Sequence, residues 1–521
     1  GREALVWLRG EDTVQTAETT IIEGANEQTT GEGNMLDSTM VGVTFGESES
    51  GQINRATFQV PGGTITFGLD KSGAYDGIIT GTREAMIWLR GKDVIVSAEA
   101  KIIEGNNKKS GADGNKIPAG TKGTSFGESK EGAITRVAMD TPDGAVTFGL
   151  DKNGKFQGIL NASSGAMVWL RGDAKVKDSV TKAAKELNAK AKPGKGNLIN
   201  DPSASSFSEN ADGVITRVVL DVPKGNITVN FNENGVYTGQ SPSNRETAVW
   251  LRGEEAVKKQ EAAGIEGLKK ERKEGGNDIP AGTKGTNFSE NAAGVMNRLS
   301  FETPEGLVTV GFSEGGNYDG IKLADREVMV WLGRGGKVEA AEKKIIKKIN
   351  DERKEGDEGS AIPEGTKGIS FGESANGQIN SVAIATPDGV IGFGIDDKGE
   401  VRVESAGREA LVWLRGETKV RDQNKKLITA MNAAREKGVD ELDVETKGIL
   451  FQENSKGVIV RMSVETPEGI MVLGAKDNGD FNGIVSAPRA AFVKYQGSKE
   501  LEKAEAKAIK RSNATVGPKG K

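Results

Sequence analysis

Tryptophan recurs along the chain with a nearly fixed period. Trp7, Trp88, Trp169, Trp250, Trp331 and Trp413 lie 81, 81, 81, 81 and 82 residues apart, each in a phrase of the type REALVWLRG. Lys494 holds the equivalent place 81 residues further on, in the decayed phrase RAAFVKYQG. A period this long means that one supersecondary unit is built six times and begun a seventh. The expected modules run over 1–81, 82–162, 163–243, 244–324, 325–406 and 407–487, with a partial copy, strand plus helix, over 488–521. A domain of about 80 residues without disulfides has a modest core. Neighbouring modules are therefore expected to stabilise one another, and to abut as a stiff rod, because no Pro- or Ser-rich linker separates them.

Each module reads in three pieces. The tryptophan phrase carries five apolar residues in a row ending at glycine, which reads as a strand; a helix start is the rival assignment, since short apolar runs are ambiguous. The next piece is an amphipathic helix. In the fifth copy Val338, Ala341, Ile345, Ile346 and Ile349 fall at helical spacing with charges elsewhere. The last piece is a meander, with TPDG and DKNG as turn signals around strands in which Val146, Phe148 and Leu150 alternate with Thr147 and Gly149. The equivalent columns hold Ile65, Phe67 and Leu69 in the first copy and Ile391, Phe393 and Ile395 in the fifth. The expected fold is α+β: a tandem array of six modules, each one helix packed on a four- to five-stranded antiparallel sheet. Copy-to-copy length changes fall after the helix and near the module junction, which marks those places as loops.

Composition excludes more chemistry than it suggests. The chain has no histidine and no cysteine, which removes disulfides, thiolate nucleophiles, Cys-type zinc sites and the commonest general base. No enzyme activity, metal or cofactor is expected. The 70 basic and 75 acidic residues leave a net charge of -5, which argues against nucleic acid or an anionic membrane surface as partner. No run approaches the length of a membrane-spanning segment. The opening Gly1 suggests a processed or excised piece whose targeting information lies elsewhere.

One polar motif recurs in every copy, F-x-E-[SN]-x-x-G, with glutamates Glu47, Glu128, Glu209, Glu290, Glu373 and Glu453. Ten residues after its phenylalanine stands Arg55, Arg136, Arg217, Arg298 or Arg461, and Ser381 in the fifth copy. Such a pair presents a carboxylate and a guanidinium once per module. It reads better as a hairpin whose glutamate accepts turn amides or pairs across strands. The second carboxylate that glycosidase chemistry needs is absent from the recurring columns. The DKNG turn resembles part of a calcium loop but lacks the closing glutamate. An aromatic column, Tyr75, Phe156, Tyr237, Tyr318 and Phe481, with Val401 in the fifth copy, reads as packing on glycine.

The tryptophans themselves are expected to pack between modules, against structure later in the chain. The ends differ in charge: residues 11–32 carry six acids and no base, and residues 498–521 seven bases and three acids, so -6 faces +4. These features suggest a structural or assembly protein, extracellular or at a cell surface. Its modules would stack head to tail, and its partners would be other protein chains, copies of itself among them. The competing expectation is a multivalent binder with one weak glycan, peptide or surface site per module.

Overall fold

The computed structural model describes residues 1–48, 52–70, 73–111, 113–191, 196–270, 275–353, 358–499 and 501–502. The helix expected over the last residues of the partial copy therefore lies almost wholly outside the described residues. By compactness the chain divides into two units, Gly1–Lys270 with Asp278–Asp319, and Glu271–Asn277 with Gly320–Lys521. Each unit is an α+β array in which helices alternate with runs of antiparallel strands. No described helix is long and apolar enough to cross a membrane.

The second copy, in the first unit, shows how a module is made. A short helix, Arg83–Arg90, ends at Gly91 and a long helix, Lys92–Asn107, begins there. Four strands follow: Ser125–Glu128, Ile134–Thr141, Gly144–Leu150 and Phe156–Ser163. The long helix buries Ile95, Ala98, Ile102 and Ile103, the apolar stripe of a 3.6-residue period. The strands bury Val137 and Met139 opposite Phe148 and Val146, so one sheet face meets the helix. The same columns close the core of the fifth copy, where Val338, Ile345, Ile349, Ile391 and Phe393 are all buried.

The tryptophan phrase is helical in every copy, which corrects the strand assignment, so each complete module has a short and a long helix over four strands. Its buried positions in the second copy are Ala85, Met86, Leu89 and Arg90, a helical spacing rather than an alternating one. The terminal charges favour this outcome: Glu84 sits in the first turn and Arg90 in the last, each stabilised by the helix dipole. Gly91 then adopts φ 87, a backbone region open to glycine, and separates the short helix from the long one.

Two further columns tie the module together. The side chain of Asn107 donates to the Ile117 carbonyl at 2.8 Å and accepts from the Ile117 amide at 2.8 Å, pinning that apolar residue under the helix end. Asn26, Asn188 and Asn432 do the same for Leu36, Ile199 and Leu442. Arg83 pairs with Glu99 at 2.6 Å, and the Glu99 carboxylate also accepts the Gly123 amide at 2.7 Å. In the third copy Ser164 and Val180 stand where Arg83 and Glu99 stand in the second. There the first strand is longer, Ser203–Asn210, and Ala204 pairs with Leu220 instead. Both ionic partners are lost together where the ladder takes over their work.

In the first, second and fourth copies the aromatic of the fourth strand lies on the long helix at a glycine, Gly24, Gly105 or Gly267. A methyl group added at Gly105 would lie 2.4 Å from the Phe156 side chain, and one at Gly24 2.4 Å from the Tyr75 ring. Where the fifth copy has Val401, the helix position is Lys348. Gly105→Ala is accordingly expected to destabilise the protein by about 1–2 kcal/mol in urea melts, because overpacking outweighs the gain in helix propensity. A stabilised variant would show that the ring has room to move.

Candidate functional site

The residues that recur in all six copies converge on the joints between modules. The fourth strand of one module pairs antiparallel with the first strand of the next. In the first unit Ile78 lies opposite Glu128, Ile159 opposite Glu209 and Gln240 opposite Glu290. In the second unit Ile321 lies opposite Glu373 and Ala406 opposite Phe451. Glycine makes the first four of these approaches possible. A side chain on Gly77, Gly158, Gly239 or Gly320 would place its Cβ 2.3, 2.1, 2.2 or 1.9 Å from the carbonyl oxygen of the facing glutamate. All four have positive φ, from 87 to 144.

Each glutamate of the F-x-E motif is held by an arginine that the spacing of the motif does not reveal. Arg9, Arg90, Arg171, Arg252, Arg334 and Arg415, at the end of the tryptophan phrase, pair with Glu47, Glu128, Glu209, Glu290, Glu373 and Glu453. The expected partners point elsewhere. Arg55, Arg136, Arg217, Arg298 and Arg461, like Ser381, sit opposite the residue before the glutamate, so their side chains leave the other sheet face. There the Arg136 guanidinium donates to the Ile79 carbonyl, and that of Arg217 donates to the Leu160 carbonyl at 3.4 Å.

The third copy shows the pair at its most buried. Arg171 donates through Nε to Glu209 Oε2 at 2.8 Å and through Nη2 to Oε1 at 2.6 Å, with both side chains excluded from solvent. The same Nη2 reaches back to Asn106 Oδ1 of the preceding long helix at 2.8 Å. Arg90 likewise donates to the Ala25 carbonyl at 2.8 Å, and Arg415 to Glu352 at 2.9 Å. One guanidinium thus ties its own module's first strand to the long helix of the module before it. Planar, five-donor geometry suits it for such a bridge.

The fifth copy reaches the same contact by another route. Its phrase reads WLGRG, so the positive-φ glycine comes one residue early, at Gly333 with φ 79, and the short helix stops at Trp331. Arg334 then caps the long helix, and its fully buried guanidinium still meets Glu373, at 3.2 Å. A register change that keeps the pair indicates that the pair, not the local helix, is what the repeat preserves.

The tryptophans meet this joint through their backbone. Asn34, Asn115, Asn197 and Asn277 each donate both the main-chain amide and the side-chain amide to the carbonyl of Trp88, Trp169, Trp250 and Trp331. The Ser360 amide does so for Trp413 at 2.6 Å. The donor lies in the preceding module's loop. The rings of Trp88, Trp169 and Trp250 are partly buried and lie against the core, whereas Trp7 is 84% exposed. The glycine before each asparagine also faces the phrase: Cβ atoms on Gly33 and Gly114 would both lie 2.3 Å from the Leu89 and Leu170 carbonyls. The Gly-Asn dipeptide, recurring 54 or 53 residues before the tryptophan, is a sequence signal for this contact.

Burial sets the electrostatics of the internal joints. Burial pushes the Glu128 carboxyl above the usual carboxylate range, against the opposing effect of Arg90. Burial and the nearby Glu128 charge likewise push the Tyr75 phenol up. The depressed carboxyls of Glu104, Glu254 and Glu358 are lowered by the bonds they accept, from Lys108, from the largely buried Arg245 and from Thr418 respectively. A raised folded-state carboxyl loses stability as pH rises through its titration, and a depressed one loses stability as pH falls through its folded value, below the ordinary carboxylate range. With no histidine to titrate between, stability is expected to vary by less than about 1 kcal/mol from pH 8 to pH 6. Urea melts at the two pH values check this. A fall at pH 6 would require a group that titrates there.

The DKNG turn uses its acid internally. Asp151 Oδ1 accepts the Asn153 and Lys155 amides at 2.9 and 2.8 Å. Among the described residues no group of three or more acidic residues is placed to hold a metal ion.

No family model and no curated protein matches the sequence. Among solved structures, a chain of one titled "Crystal Structure of TcdB2-TccC3-Cdc42" matches at 10% identity with a TM-score of 0.10, covering 82% of this chain. The match spans 20% of that structure's chain, and a likeness at this level carries no argument about fold or function.

Proposed function

We propose that the protein is a structural repeat array, a component of a cell-surface layer, filament or virion whose partners are other protein chains. One observation carries this reading. The residues repeated in all six copies, the arginine that closes the tryptophan phrase and the F-x-E glutamate, pair with each other, and in the second, third and sixth copies the same arginine also reaches the long helix of the module before. A ligand site repeated per module would instead keep polar columns free of such duty. The reading assigns the chain no catalysis. Sedimentation velocity and electron microscopy of purified protein at low and high salt test it. Concentration-dependent assemblies, weakened by salt in keeping with the opposite charges of residues 11–32 and 498–521, are expected. Monodisperse monomers under both conditions would contradict it.

A further inference from the structure

One column of the repeat is interrupted on the outer face of the sheet. The second strand of a module carries an arginine there, Arg55, Arg136, Arg217, Arg298 or Arg461, but Ser381 in the fifth copy. In the second copy this arginine lies across the first strand and reaches the module before. The Arg136 guanidinium donates to the Ile79 carbonyl, and a Cβ on Gly127 would lie 3.1 Å from its Nη2 and 3.3 Å from the Ile78 carbonyl oxygen. In the third copy Arg217 donates to the Leu160 carbonyl at 3.4 Å.

The fifth copy keeps these surroundings without the arginine. Its first strand has Gly372 in the place of Gly127, where a Cβ would likewise lie 3.3 Å from a carbonyl oxygen of the strand before, that of Ile321. Lys322 follows as Ile79 follows Ile78. Serine ends where the stem of arginine begins. A cleft of about 380 Å³ stands in its place, bordered by Lys322, Ser381, Asp396, Asp397, Arg402 and Glu404, all within the second unit.

The charge of the cleft has changed in the same copy. A Cβ on Gly394, the residue opposite Ser381, would lie 2.3 Å from the Glu404 carboxylate. The corresponding glycines Gly68, Gly149 and Gly474 meet the apolar side chains of Ile79, Leu160 and Val485 instead. An arginine is thus lost where a carboxylate is gained. Arg402 pairs with Glu404 at 2.7 Å, but both side chains are about half exposed, so the pair is weak. Three carboxylates against two cations favour a cationic occupant.

We infer that this cleft receives an arginine side chain of another protein chain. The incoming guanidinium donates to the Lys322 carbonyl, as Arg136 donates to that of Ile79, and pairs with Glu404; its planar fork serves both acceptors. The site occurs once in the array, and it stands whether or not the chain assembles with copies of itself.

Amide NMR titration of the full chain with N-acetyl-arginine amide tests it, in about 0.15 M salt to screen long-range attraction. Amides around Lys322, Ser381 and Gly394 are expected to shift saturably, with a dissociation constant on the order of 1 mM. N-acetyl-lysine amide, which lacks the fork, should bind at least about threefold more weakly. Ser381→Arg refills the column with the chain's own side chain and should weaken binding at least about tenfold by occupying the cleft. Glu404→Gln, at a half-exposed position, should weaken it about threefold and keeps the test decisive if the first variant fails to fold. No shifts at about 20 mM probe, equal binding of the two probes, or undiminished binding by either folded variant would overturn the inference.

Discussion

Replacing Arg171 by alanine is expected to cost about 3–5 kcal/mol, because it leaves the solvent-inaccessible Glu209 carboxylate without its charged partner. The carboxylate loses every bond that Arg171 now supplies and keeps only Lys175 Nζ, at 3.2 Å. Two comparisons give the number its meaning. Arg9→Ala breaks the equivalent pair where it is half open and screened by solvent, and a much smaller cost is expected there. Arg171→Met combined with Glu209→Leu removes both charges and should recover most of the loss, since burying a pair carries its own desolvation cost. Urea denaturation of the four proteins decides the matter. Equal costs for Arg9→Ala and Arg171→Ala would show that the joint does not depend on burial of the pair.

The second large effect is expected at Gly158. Alanine there would place a methyl carbon 2.1 Å from the Glu209 carbonyl oxygen, at a φ of 105 that side chains rarely adopt. Backbone strain of about 1–3 kcal/mol adds to a steric conflict with main chain, which has no rotamer to yield. A loss of about 3 kcal/mol or more is expected, with the strand pair Phe156–Ser163 and Ser203–Asn210 opened first. Gly483, which has a φ of 113 but meets nothing within 4 Å, is the control for φ alone. Gly483→Ala should be clearly milder. Matching losses at the two positions would assign the whole effect to φ and none to close approach.

The sequence is legible wherever periodicity within a module decides the outcome. The stripe Val338, Ala341, Ile345, Ile346 and Ile349 announces a helix and the alternation Ile391, Phe393, Ile395 a strand of the same copy, and all eight side chains are buried. The tryptophan phrase misleads because eight residues with five consecutive apolar side chains have no period to read. Its informative signals are at the ends, glutamate in the first turn, arginine in the last and glycine beyond, which is the signature of a short capped helix. The arginine that meets each glutamate is hidden for a different reason. Arg171 and Glu209 are 38 residues apart and brought together by a turn between two helices, a geometry that no local spacing encodes. What the repeat itself offers is comparison between copies. The shift of arginine by one residue in WLGRG and the loss of arginine for Gln496 are the places where the joint's rule shows through.

The account's central claim is that the repeated residues hold module to module, and native-state hydrogen exchange on Arg171→Ala tests it most directly. In the wild type the amides of the joined strands Phe156–Ser163 and Ser203–Asn210 are expected to exchange as slowly as those of Gly144–Leu150 in the module interior. In the variant both joined strands should speed up together, by about the free energy lost in urea, with the interior of the second module unaffected. Faster exchange confined to the helix Ser164–Arg171, with the joined strands unchanged, would contradict the claim.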